Sequence, residues 1–208
     1  MLLLQPAMAS PASAPGPAPP PGGPATAQPA GPDPDAFDAM LERFLGPELW
    51  REPSQRHVLA RLAELKRLLP PDDPARTLRY RALRCDWDFL DDPAGQLAFA
   101  EAGLARAREL GDRAMQASFH YCRSGAIEAL RSMPEALPDI EAGIEISRRI
   151  GDERQLADGL ALRGGTRSLL DDQSHAIPDL LAAQQLYQRA GFRDDAESLL
   201  QDIAISYR

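Results

Sequence analysis

Three short runs recur along this chain at a fixed interval. Leu110-Gly111-Asp112, Ile150-Gly151-Asp152 and Ala190-Gly191-Phe192 lie 40 residues apart. In each, a helix-forming stretch runs into a glycine, which can take the left-handed backbone conformation that ends a helix. The polar residues that follow can cap the next helix. Residue identities recur in the same register. Glu101-Ala102-Gly103-Leu104 matches Glu141-Ala142-Gly143-Ile144, and Ala136-Leu137-Pro138-Asp139-Ile140 matches Ala176-Ile177-Pro178-Asp179-Leu180. Chance can give one such match; several in one register indicate duplicated helical hairpins. The expected fold class is all-α, an array of helix-turn-helix hairpins with a period of 40.

Apolar periodicity places two helices in each unit. Helix A is expected over residues 75–90, 115–131, 155–170 and 195–208, and helix B over 94–110, 134–150 and 174–190. Asp35–Leu45 and Ser54–Leu69 form an atypical hairpin that could cap the array. Pro93 and Pro134, and with them Pro138 and Pro178, are assigned to the first turn of helix B, where proline's missing N–H does little harm. The acidic pairs Asp72/Asp73, Asp91/Asp92, Asp171/Asp172 and Asp194/Asp195 fall at turns or helix starts. They read as caps suited to the helix dipole rather than as acid–base or metal groups. The last helix A has no helix B behind it, so an apolar face including Ile203, Ile205 and Tyr207 is expected to stand open. Such a chain reads as a truncated array or half of a larger assembly. It is expected to fray from about residue 195 or to self-associate through the C-terminal helix.

Composition narrows the function classes. Hydrophobic residues are 44% of the 208, but aromatics only 6%, with Ala and Leu dominant. That suits close-packed helices better than a β-sandwich. A net charge of −8 argues against a general nucleic-acid binder, which needs a basic face. Lys66 is the only lysine, an arginine bias of the kind a GC-rich bacterial genome produces. His57, His120 and His175 lie far apart with no ligand spacing, so no metal or cofactor is expected. Arg163-Gly164-Gly165-Thr166 lies inside a helix and lacks the Lys-Ser/Thr ending of a phosphate loop. No catalytic constellation is evident. Cys85 and Cys122 are either two small semi-buried residues or, if the chain is exported, a disulfide between adjacent helices.

Residues 1–34 are a separate object, with 11 Pro, 4 Gly, 8 Ala and one charge, Asp33. Too few large apolar groups are present to offset ordering, so a disordered or polyproline-like tether is expected, with the repeat domain over 35–208. Met1-Leu2-Leu3-Leu4 and Ala7-Met8-Ala9 resemble the end of a signal peptide without its charged n-region or a full apolar stretch. Two readings stay open: a signal-peptide remnant, hence a periplasmic chain, or a plain N-terminus and a cytoplasmic one. No stretch approaches 18 apolar residues, so no membrane span is expected.

These units resemble tetratricopeptide repeats. The small residues of that family, where its two helices cross, are matched by Ser124, Gly164 and Ala204, by Ala136 and Ala176, and by Gly103, Gly143 and Ala183. Trp87 and Tyr207 match its aromatic near the end of helix A, while Ile127 and Arg167 depart from it. Tyr80, His120, Leu160 and Leu200 stand at its large residue near the start of helix A. Arg84 and Gln96 break two small-residue columns in the first unit. The resemblance is good over 75–208 and weak over 35–70. It implies a right-handed superhelix, with Gly143 and Ala183 at tight crossings.

The period of 40 is similar to arrays in bacterial signalling proteins, among them the N-terminal sensor regions of GGDEF-type diguanylate cyclases and of some histidine kinases. Similar arrays occur in maltose-regulator-like activators. The implied function is a protein–protein interaction module, a scaffold or sensory arm in bacterial signalling. The alternative is the regulatory N-terminal fragment of a cyclase whose catalytic domain lies outside this chain. The family binds partners in a concave groove. Its groove positions fall on Leu78, Arg81, Cys85 and Asp88, on Ser118, Tyr121, Gly125 and Glu128, on Asp158, Ala161, Gly165 and Ser168, and on Ser198, Gln201 and Ile205. Tyr121 is the one aromatic anchor, and Gly125 and Gly165 leave room for a partner's backbone. The lysine-rich carboxylate clamp of some members is absent.

Overall fold

The computed structural model describes residues 34–46, 55–89 and 91–207; the expected tether and the residues resembling a cleavage site lie outside them. Among the described residues the chain is all-helical, without strands. An upstream hairpin is formed by α1 (Pro34–Leu45) and α2 (Gln55–Leu68). Then follow α3 (Pro74–Trp87), α4 (Pro93–Glu109), α5 (Arg113–Leu130), α6 (Met133–Ile150), α7 (Glu153–Leu169), α8 (Gln173–Ala190) and α9 (Arg193–Ser206). Every expected helix is present, with ends displaced by at most a few residues.

The Gly-Asp runs both stop and start helices. Gly111, Gly151 and Gly191 have φ of 68°, 73° and 85°, a region only glycine enters freely. With the chain turned there, the Asp152 N–H donates to the Ser147 carbonyl at 3.1 Å and the Asp112 N–H to that of Ala107 at 2.9 Å. These six-to-one bonds close each helix C-terminus. The Asp112 and Asp152 side chains then accept the N–H groups of Met115 and Gln155, at 3.0 and 2.9 Å, and cap the next helix. At the other helix starts the acidic pairs play related parts. Asp73 and Asp92 cap α3 and α4, each accepting an N–H at 2.9 Å. Asp171, at φ 60°, takes the glycine's left-handed position. Asp172 stands at the N-cap of α8 without a capping bond, and Asp194 and Asp195 sit in the first turn of α9.

Two assignments need correcting. Pro138 and Pro178 lie inside α6 and α8 rather than in the first turn, because these helices begin at Met133 and Gln173. Each removes an internal helix hydrogen bond. Each also immediately precedes an aspartate that faces helix A. Asp139 accepts Arg123 Nε at 2.9 Å and Nη2 at 2.6 Å, with His120 Nδ1 at 2.7 Å. Asp179 accepts Arg163 Nε at 2.8 Å, its Nη2 at 2.7 Å and Arg167 Nη1 at 2.8 Å. The repeated Pro-Asp is therefore half of an ion pair tying helix A to helix B. In the first hairpin the corresponding residues are Leu83 and Phe99, and the tie is absent.

Helices pack on their neighbours in sequence; α3 also packs on α5 about as closely as on α4, and α5 on α7 and α7 on α9 more lightly. The hairpins α5/α6 and α7/α8 are closely packed; α3/α4 is looser. Glycine sets the close crossings. A Cβ on Gly143 would fall inside the Tyr121 ring, one on Gly103 inside the Phe119 ring, and one on Gly164 only 2.8 Å from Leu180 Cγ. Ala183 is fully buried.

The looser first junction carries a covalent link instead. Cys85 of α3 and Cys122 of α5 form a disulfide, Sγ–Sγ 1.97 Å, with 0% and 2% exposure. This corrects the transfer of Leu78 and Cys85 to the groove. Both side chains are buried in the cluster with Ala100, Leu104 and Phe119, so α3 is rolled inward there.

Candidate partner-binding face

Helical spacing sets Ser118, Tyr121, Gly125 and Glu128 on one side of α5 and Asp158, Ala161, Gly165 and Ser168 on one side of α7. Hydrogen bonds join these faces. Gln155 Nε2 of α7 donates to Ser118 Oγ at 2.9 Å and to the Ala114 carbonyl at 3.0 Å. Its Oε1 accepts Ser147 Oγ at 3.1 Å, and Ser147 lies 3.1 Å from Tyr121 Oη. Ser168 Oγ reaches Ser206 Oγ of α9 at 2.8 Å.

Tyr121 is no projecting anchor. Its ring fills the space left by Gly143 and Gly159, and burial pushes its phenol up to about 12 against the opposing bond from Ser147. Gly125 is exposed and Gly165 half-buried, and a Cβ on either would meet nothing within 4 Å. Glu128 and Ala161 are half-buried, the latter against the apolar core of α6–α9. Gln201, Ser198 and Ile205 are exposed on α9.

Asp158 sits in a polar cluster at the start of this face. It accepts Tyr187 Oη at 2.7 Å and Arg154 Nε at 3.1 Å. The Arg154 guanidinium lies 3.8 Å above the Phe192 ring and 3.8 Å from Asp195. Asp158 keeps 42% of its side chain in solvent, yet protein surrounds it closely. Desolvation holds its carboxyl above the ordinary aspartate value, outweighing Arg154 and Tyr187. Desolvation raises Asp195 as well, with Asp194 adding repulsion.

The two first-unit residues lie apart from this face. Asp88 ends α3 and pairs with Arg84. Arg81 stacks over the Phe99 ring at 4.6 Å and lines an open depression of about 730 Å³ with Asp72, Thr77, Leu78, Arg106 and Glu109. Its buried Nε has no hydrogen-bond partner. Sequence reasoning did not single out Gln155, Arg154 or Tyr187, and took Asp195 only as a helix cap. None of them repeats at the 40-residue offset, so the signal that found the hairpins is silent on them. Among the described residues no three His, Cys, Asp or Glu are grouped to hold a metal, and no helix is long and apolar enough to cross a membrane. No family model and no curated protein matches the chain.

Proposed function

We propose that this chain is a protein-interaction module of the tetratricopeptide kind, serving as a scaffold or sensory arm. Its hairpins stack as a right-handed superhelix, with the joined face of α5 and α7 on the concave side. A segment of a protein partner lies along that face, its backbone seated at Gly125 and Gly165. The observation that carries this reading is the emptiness beside those two glycines. Glycine inside a helix costs about 1 kcal/mol relative to alanine. At Gly143 close packing explains that cost; at Gly125 and Gly165 nothing among the described residues does. The fixed donors and acceptors around Gln155 and Asp158 supply the polar contacts that a peptide backbone and its side chains need.

Selection of a displayed random-peptide library on the full chain tests this. Enriched peptides are expected to lose at least about tenfold in affinity for the Gly125→Leu/Gly165→Leu variant, a difference of about 1.4 kcal/mol. The variant's melting midpoint should be no lower than that of the parent. Selected peptides that bind the variant as tightly as the parent would place the seat elsewhere.

A further inference from the structure

We infer that Cys85 and Cys122 are joined by a disulfide-exchange oxidant before α4 closes over them, and that this chain therefore matures in an oxidising compartment. Three observations carry the inference. Both cysteines are buried, with residue exposures of 0% and 2%. The enclosure is built partly from α4, the helix that lies between the two cysteines in sequence: Ala100, Leu104 and Ala107 share their apolar cluster. Gln96 of α4 donates Nε2 to the Cys85 carbonyl at 3.0 Å and lies 3.5 Å from Cys122 Sγ. Exchange needs a sulfur nucleophile to approach a sulfur directly. In the folded chain no such approach exists, so the bond forms while α4 is open and is shielded afterwards.

The chemistry balances with an oxidant that itself carries a disulfide. One cysteine thiolate attacks a sulfur of the oxidant and displaces its partner as a thiolate. The second cysteine thiolate then attacks the mixed disulfide, and the oxidant leaves as a dithiol. The two cysteines give up two electrons and two protons, and the oxidant takes them. A reducing cytosol keeps thiols reduced, which is why the bond assigns the compartment.

The bond also has a structural reason to be where it is. The first hairpin carries Arg84 and Gln96 where small residues would allow a close crossing, and Leu83 and Phe99 where the later hairpins carry an Arg–Asp tie. It is the looser hairpin, and the bond fastens it to α5.

Acid-quenched alkylation of the cells that make the chain is the first test. No cysteine should be labelled; two labelled cysteines would overturn the compartment assignment. On the purified full chain, dithiothreitol should reduce the bond at least about 100-fold more slowly in buffer than in urea. Equal rates would show that the sulfurs are reached in the folded state and refute the order of events. Hydrogen exchange on the oxidised chain and on the Cys85→Ala/Cys122→Ala variant tests the structural part. Exchange should quicken over residues 55–109 and stay unchanged over 133–207, with a melting midpoint lower by roughly 10 °C. If the variant does not fold, the same exchange comparison is made on the parent chain after reduction. Uniform quickening over both regions would refute the fastening role.

Discussion

At the scale of single residues, two kinds of glycine stand inside these helices and respond oppositely to a methyl group. Gly125 and Gly165 face open space, so Gly125→Ala and Gly165→Ala are each expected to stabilise the chain by about 0.5–1 kcal/mol. Gly143→Ala puts its methyl into the Tyr121 ring, which Gly159 and Ser147 hold in place. It is expected to destabilise by about 1–3 kcal/mol. Denaturant melts of the three variants check both signs.

Two aspartates respond oppositely to pH. Burial pushes Asp139 up, but His120 and Arg123 outweigh it and its carboxyl lies below the ordinary 3.8. Its contribution is therefore present above that value and is lost as pH falls through the lower, folded one. Asp139→Asn should cost about 2–4 kcal/mol near neutrality, with the gap narrowing under acid. Asp158 lies above 3.8, so its favourable contribution is complete below that value and is lost as pH rises through the folded one. Asp158→Asn should match the parent near pH 4 and become progressively the more stable as pH rises. Melting midpoints from about pH 2 to 8 read both trends.

At the scale of elements, the helices and turns were legible because their signals are local: a glycine after α4, α6 and α8, a carboxylate at most of the starts, and apolar residues at helical spacing. The roll of a helix about its axis is not local. α3 was assigned the groove register of its repeats, yet Leu78 and Cys85 turn into the core, because the looser α3/α4 crossing lets α3 pack directly on α5. Pro138 and Pro178 were placed one turn too early, since a proline signals a helix start more strongly than an aspartate signals a tie to a partner helix. The two open glycines were named from the groove positions that the tetratricopeptide resemblance implies. The Gln155 and Asp158 networks were not legible, because they depend on which side chains meet across α5, α7 and α8.

The C-terminal helix is a mixed outcome. Ile203 and Leu199 are buried at 8% and 6%, while Leu200, Ile205 and Tyr207 stand 53%, 51% and 67% exposed. Of the expected open face, Ile205 and Tyr207 stand exposed and Ile203 is buried, with Leu200 exposed beside them. Exposed apolar groups on one helix favour association. Sedimentation should show the full chain associating as concentration rises, and Leu200→Lys/Ile205→Lys remaining monomeric at the same concentrations. Identical profiles for the two would rule this helix out as the contact.

At the scale of the whole molecule, packing runs between near neighbours in sequence, and among the described residues the buried groups fall into three clusters arranged along the chain. Each hairpin is therefore supported chiefly by the ones beside it. Under tension applied at its two ends, such an array would come apart hairpin by hairpin, each releasing its contour length. The bond between Cys85 and Cys122 spans 37 residues. At about 3.5 Å per extended residue it withholds roughly 130 Å of that length from any pull. The α4 hairpin cannot be drawn out while the bond is intact, and the chain's extensible reach is set by its redox state.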